Sequence, residues 1–369
     1  MGVKRYVAES DNTITNAFEA NLTTRGTGSN MGAADTLEVF TIHGQTSASV
    51  SAANAEQARV LIQFPVSGTN TAIETIHRDR TNGDIPTSGN VSFYLRMFNA
   101  PHAETLPENF DLDIKKMTAA WSEGTGLDMD EYQDIGFSSW AKRNSTTAWS
   151  AAGAEGNYSN ITSTTFSDGS EDIEVDVTST VEAWLTSPAS NYGFMIRNTN
   201  AQISGSVGSF YTKKFFARGT EFHFKRPVIE VRWDSSRKDQ RSNFILSSSL
   251  VSAANNVNTL WLYNRLRGVL TDVPSLTSNA MDVTVYSASL DGVPYGDAVT
   301  LIKADGTSVT SVTAGKATEK GVVLTGIYTA SFTTANTAST FLDVWSTGSG
   351  DSKRTFHTGS IAPVSQEAS

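Results

Sequence analysis

Apolar residues recur at every second position through much of this 369-residue chain, and that period constrains its fold more than any other feature. In residues 59–64, RVLIQF, one side carries Val60, Ile62 and Phe64 while Arg59 and Gln63 point the other way. In 91–98, VSFYLRMF, the apolar row is Val91, Phe93, Leu95 and Met97. Ile173, Val175 and Val177 alternate with Glu174 and Asp176, and Ile229, Val231 and Trp233 with Glu230 and Arg232. Slipping any of these strands by one residue would turn its charges into the core, so register is strongly specified.

Polar stretches such as 144–172 separate the runs and are too long for simple hairpin turns. They imply an antiparallel sandwich with elaborate loops. One helix is marked at 178–186, where Ser179 followed by Glu182 has capping-box spacing and Pro188 lies beyond the end. Val177, Val181, Trp184 and Leu185 share a face of it, so the helix should cross an open end of the sandwich with Trp184 as anchor. The mixed-charge segment 234–243, DSSRKDQRSN, is the best boundary. Further strand candidates follow at 259–263, 282–287, 298–303, 321–332 and 340–346, spaced as in a small immunoglobulin-like sandwich. The expected organisation is all-β. A jelly-roll-like antiparallel sandwich with one short helix spans 1–234, a linker spans 235–257, and a smaller immunoglobulin-like β-sandwich with a C-terminal tail spans 258–369.

Composition narrows the function classes. No run approaches the roughly 20 apolar residues of a spanning helix, so no membrane insertion is expected. The start lacks the apolar segment of a secretory signal, which points to synthesis in a host cytoplasm. Cysteine is absent, which removes thiol catalysis and thiolate metal sites. A formal charge of −10 disfavours nucleic acid as a partner. The densest basic stretch runs from Lys213 to Lys238, interleaved with Phe215, Phe216, Phe222, Phe224 and Trp233. It reads as a strand pair with aromatic residues inside and cations outside, against a nucleic-acid groove as the alternative.

Candidates for chemistry are few. His43, His77, His102, His223 and His357 stand apart, so no metal-binding histidine pair exists, and His223 reads as a strand residue. No nucleophile elbow or phosphate-binding loop follows any strand. Asp128, Asp130 and Asp134 occupy positions 1, 3 and 7 of a calcium-loop pattern, but Gln133 and Ser139 replace the required Gly and Glu. They are the metal candidates, and solvated loop carboxylates are the favoured alternative. No other cofactor is implied. Trp121, Trp140 and Trp149 sit in or beside polar loops and could form a sugar-stacking platform. The favoured reading makes Trp121 and Trp140 anchors that pin those loops to the core.

The first domain resembles the DNRLRE family of jelly-roll-like sandwich modules over about residues 10–234. Asp11-Asn12-Thr13-Ile14, Ala34 to Val39, Arg59 to Phe64, Val91 to Met97, Ala120-Trp121-Ser122-Glu123-Gly124, Val175 to Leu185, Tyr192 to Arg197, Ser209 to Tyr211 and Arg226 to Val231 fall in the family's order. The long 124–172 insertion and a Thr at 212 depart from its pattern. The family shares no established catalytic residues, so the resemblance implies a binding or structural role. Residues 259–268, TLWLYNRLRG, carry a further resemblance, to C-terminal regions of virion proteins from tailed phages.

The expectation is therefore a non-enzymatic virion structural protein of a tailed bacteriophage, as a neck, tail-associated or capsid-surface component. Its partners would be other virion proteins and further copies of itself in a symmetric particle, reached through an N-terminal arm at 1–12 and a tail at 359–369. The alternative is a carbohydrate-binding or host-adhesion module that takes a surface glycan.

Overall fold

The computed structural model describes residues 2–44, 54–66, 75–103, 105–129, 137–205, 208–274, 276, 280–319 and 322–364. The chain divides into two units, Met1–Ser235 and Ser236–Ser369. Both are built mainly from antiparallel strands, with little helix, as the period-two pattern requires.

The first unit contains β1 (Gly2–Val7), β2 (Ser10–Thr15), β3 (Thr36–Ile42), β4 (Glu56–Gln63), β5 (Ser92–Met97) and β6 (Phe110–Met117). It continues with β7 (Tyr158–Phe166), β8 (Ile173–Asp176), β9 (Phe194–Asn198), β10 (Phe210–Phe216) and β11 (Val228–Trp233). One sheet runs β1-β11-β5-β8; the other runs β10-β3-β4-β9-β6-β7, with β2 paired to β4. Inward side chains of both sheets meet in one core, among them Leu95 and Ile229 from the smaller sheet and Val60, Ile114 and Ile196 from the larger. Strand β5 shows the cause plainly. Phe93, Leu95 and Met97 are buried, while Ser92, Tyr94 and Arg96 between them are half-exposed.

Three α-helices lie among the described residues rather than one: α1 (Ile76–Thr81), α2 (Thr178–Thr186) and α3 (Asn200–Ile203). Helix α2 buries Val181 and Trp184, and the Trp184 ring lies 4.9 Å from that of Phe194. The expected Ser179–Glu182 capping box does not form. Asp176, closer to the first turn, accepts the Thr178 N–H at 2.8 Å, and Glu182 turns outward to a bidentate pair with Arg80.

The second unit contains β12 (Phe244–Ile245), β13 (Asn258–Tyr263), β14 (Arg265–Leu266), β15 (Val269–Leu270), β16 (Ala280–Ala288), β17 (Pro294–Tyr295) and β18 (Leu301–Ile302). After these come β19 (Ser308–Val309), β20 (Val312–Glu319), β21 (Val322–Phe332), β22 (Phe341–Thr347), β23 (Arg354–Ile361) and β24 (Pro363–Val364). Its principal sheet runs β13-β21-β20-β16-β22-β23, with β17 on β16. Strands β13 and β22 stand four steps apart along that path. The single side chain of Arg241 nevertheless donates to the Trp261 carbonyl on β13 at 2.8 Å and to Asp343 on β22 at 2.7 Å. The sheet must therefore curl back on itself around its core of Leu260, Val283, Tyr328, Phe332 and Trp345.

Three segments expected to lie outside the two sandwiches are part of the fold. Segment 235–257, expected as a linker, supplies Arg241 and the core residue Phe244, and its strand β12 pairs in parallel with β24. Phe244 is too apolar to leave in water, and the Asn258 amide ties Ile245 to β13 at both its N–H and its carbonyl. Residues 2–12, expected as a projecting arm, form β1 and begin β2. Of the expected tail, 359–361 end β23 and 363–364 form β24.

Candidate attachment surface

One charged cluster of the first unit joins the Asp11 motif to the Glu123 turn. Asp11 is 1% exposed; its backbone N–H donates to Glu123 at 2.8 Å, and its carboxylate accepts the Arg218 N–H at 2.6 Å. The Arg218 guanidinium grips Glu123, with Nε at 2.6 Å, but stands 4.0 Å from Asp11. Burial therefore dominates and pushes the Asp11 carboxyl up to about 7, and the nearby Glu123 charge acts in the same direction. Gly124 is required beside it, because a Cβ there would lie 1.8 Å from the Asn30 side-chain oxygen. Paired acids with one raised pKa suggest acid–base work. Here Glu123 accepts from the Asp11 N–H and the Arg218 guanidinium while Asp11 accepts from the Arg218 N–H, so the group acts as a clasp on β2, the 121–124 turn and the start of the 217–227 loop.

A second cluster lies on the outer face of the seven-stranded sheet. Residues from the long insertion fold over that face, so Trp140 and Trp149 pack with Ile14, Leu61, Met117 and Met195 in a separate small core. Arg59, expected to face outward, is trapped beneath them: it donates to the Gly153 carbonyl, pairs with Glu155 at 2.8 Å and lies 4.7 Å from the Trp140 ring. Burial, then the like charge of Arg197, lower its pKa to about 10. Trp140 and Trp149 are 6% and 5% exposed, and Trp121 is half-buried with its indole N–H on the Tyr192 carbonyl. Trp140 and Trp149 are buried as loop anchors, and Trp121 packs against the same small core.

Lys213 corrects the expectation of outward cations. It shares the inward face of β10 with Phe215, and its ammonium donates to Asn99 and to the Gly169 and Glu171 carbonyls at 2.7, 2.7 and 2.9 Å. Burial lowers its pKa to about 8 against the pull of Glu171 and its acidic neighbours. The two-residue spacing from Phe215 was the signal for this placement.

The exposed counterpart of these closed clusters is the loop after β10. His223 is not a strand residue; it opens a 3-10 turn, His223–Lys225. Arg226 fixes the base of the loop through two bonds to the Thr220 carbonyl at 3.1 and 3.0 Å. Phe222 rests edge-on against Phe216 at 5.5 Å, and the Lys225 ammonium lies 5.3 Å from the Phe98 ring. Phe222 is 55% exposed and Phe224 81%, with the His223 ring edge-on to Phe224. Two large apolar rings are thus held in water by a rigid, cationic base. Gly219 and Pro227 bracket the turn in the sequence and were the available signal for it.

Of the calcium candidates, Asp128 is exposed, and Asp130 and Asp134 lie outside the described residues. Among the described residues, no three His, Asp or Glu side chains gather as a metal site would require. No described helix is long and apolar enough to cross a membrane. An open depression of about 540 Å³ beside α2 is lined by His77, Arg80 and Glu182, but the last two are engaged with each other. No protein-family model matches the chain, and no curated protein matches it.

Proposed function

We propose that the chain is a non-enzymatic structural component of a tailed-phage particle, attached to its neighbours through loops displayed on rigid β-units. The observation that carries this reading is the Phe222–Phe224 turn. Apolar rings cost free energy when left in water, and burial against a partner recovers roughly 25 cal/mol per Å² of apolar area. Aromatic side chains backed by cations such as Lys225 and Arg226 match the anchor chemistry of protein interfaces. Repetition around a symmetric particle turns modest contacts into firm attachment. The perturbed acids and lysine support the same reading, because their hydrogen-bonding capacity is spent inside the fold.

The test is incorporation into particles. Phe222→Ser with Phe224→Ser is expected to leave the melting temperature of the purified chain unchanged while abolishing its recovery with assembled virions, read by mass spectrometry of purified particles. Wild-type protein absent from particles would sink the proposal. So would a double variant that assembles normally. Specific binding on a glycan array that this double variant retains would favour the adhesion reading instead.

A further inference from the structure

Sheet edges expose rows of unpaired N–H and C=O groups, and proteins that stay apart blunt them with charge, shortness or cover. Most edges in this chain are managed in that way. Strand β1 carries Lys4 and Arg5, and β8 has only four residues with Glu174 and Asp176 exposed. The outer side of β10 is bonded by Phe98 and Ala100. In the second unit, Gln240 and Arg241 cap β13 by bonding the Thr259 N–H and the Trp261 carbonyl.

Strand β7 is different. It runs nine residues, Tyr158–Phe166, about 30 Å long. Among the described residues it pairs only with β6, and it contains no charged residue and no proline. Its hydroxyls on Ser163 and Thr165 donate to Asp113 and Asp111 of β6, both at 2.6 Å, so the polar side chains of that face are engaged by the neighbouring strand. Asn160 likewise holds Lys115 at 2.8 Å. The middle of the strand, Thr162 and Ser163, is exposed.

We infer that β7 pairs with β7 of a second copy of this chain, antiparallel about a twofold axis, joining two seven-stranded sheets into one. The choice of a second copy follows from charge. A chain of net charge −10 repels itself over most of its surface, and a charged edge would meet its own charge across a twofold. β7 carries no charged side chain of its own, so no charge on the strand would meet its like across a twofold. Antiparallel pairing also lets one strand satisfy its own copy's donors and acceptors without a second sequence. The inference does not depend on the particle assignment, since the pairing needs only the purified chain.

Because the chain has no cysteine, a scan of single cysteines at 160, 161, 162, 163 and 164 reads the geometry directly. Under mild oxidation, disulfide-linked dimers are expected to peak at one position, the one on the twofold, and to fall off on either side. Sedimentation of the unmodified full chain at about 100 µM should show a dimer, a concentration that fills any self-association with Kd of about 10 µM or tighter. Thr162→Lys with Thr165→Lys should weaken that dimer at least about tenfold without lowering the melting temperature. Phe222→Ser with Phe224→Ser should leave it intact, which separates this edge from the aromatic turn. A monomer at that concentration, or a dimer that the double lysine variant leaves unchanged, would overturn the inference.

Discussion

The two units close their cores by different means. In Met1–Ser235 two separate sheets face each other, and buried charge is spread over several sites: Arg59 under the insertion, Lys213 within β10 and Asp11 beside Glu123. In Ser236–Ser369 one curled sheet meets itself, and one pair spans the seam. Arg241 grips Asp343, which is fully buried and also accepts the Trp345 indole N–H. A face-to-face sandwich brings two sheets together with no closing seam, so its polar ties can be distributed. A sheet that must curl needs a tie at the closing seam, and the structure concentrates it in one arginine.

That contrast can be broken by experiment. Arg241→Met strands the buried Asp343 carboxylate and should cost about 3–5 kcal/mol. Hydrogen exchange of the full chain should show lost protection in β13 and β22 with the first unit unaffected; equal loss in both units would refute a local clasp. Trp184→Ala tests the first unit in the same way, with about 3–5 kcal/mol expected from the emptied core and an unchanged melting temperature as the contrary result.

Next comes pH. The folded Asp11 carboxyl keeps its proton up to about pH 7, whereas its ordinary value is 3.8, so the folded state binds the extra proton between them. Stability of the first unit should therefore fall as pH rises from about 4 to about 7, by on the order of 1–4 kcal/mol, and Asp11→Asn should flatten that slope. Lys213 acts in the opposite sense at higher pH: its folded value near 8 lies below 10.5, so stability should recover as pH rises from 8 toward 10.5. Denaturant midpoints across pH check both, and a flat wild-type profile would remove the pressure assigned to Asp11. The smallest effect belongs to the surface. Phe224→Ser should change stability by less than about 0.5 kcal/mol, and a larger loss would mean the ring supports the fold and is not displayed for a partner.

Much of the fold was legible because period two is local. The rows Val60-Ile62-Phe64 and Phe93-Leu95-Met97 name their own inward faces, and Trp184 announces a helix anchored in the core. The outer faces were not legible. Arg59 reads as solvent-facing until Trp140 and Trp149 fold over it from about 80 residues downstream. Arg241 sits in a stretch so polar that it reads as linker, and only the curl of a sheet assembled from residues 258–361 brings Trp261 and Asp343 within its reach.

By itself the sequence determined an all-β chain, the inward rows of its main strands and a change of unit near residue 235, because each depends on neighbours along the chain. Only tertiary structure decided which charges are buried, which tryptophans are anchors, which aromatic turn faces water and which sheet edge is left open. Those outcomes depend on what another segment covers, and burial by a distant segment leaves no periodic trace in the residues it covers.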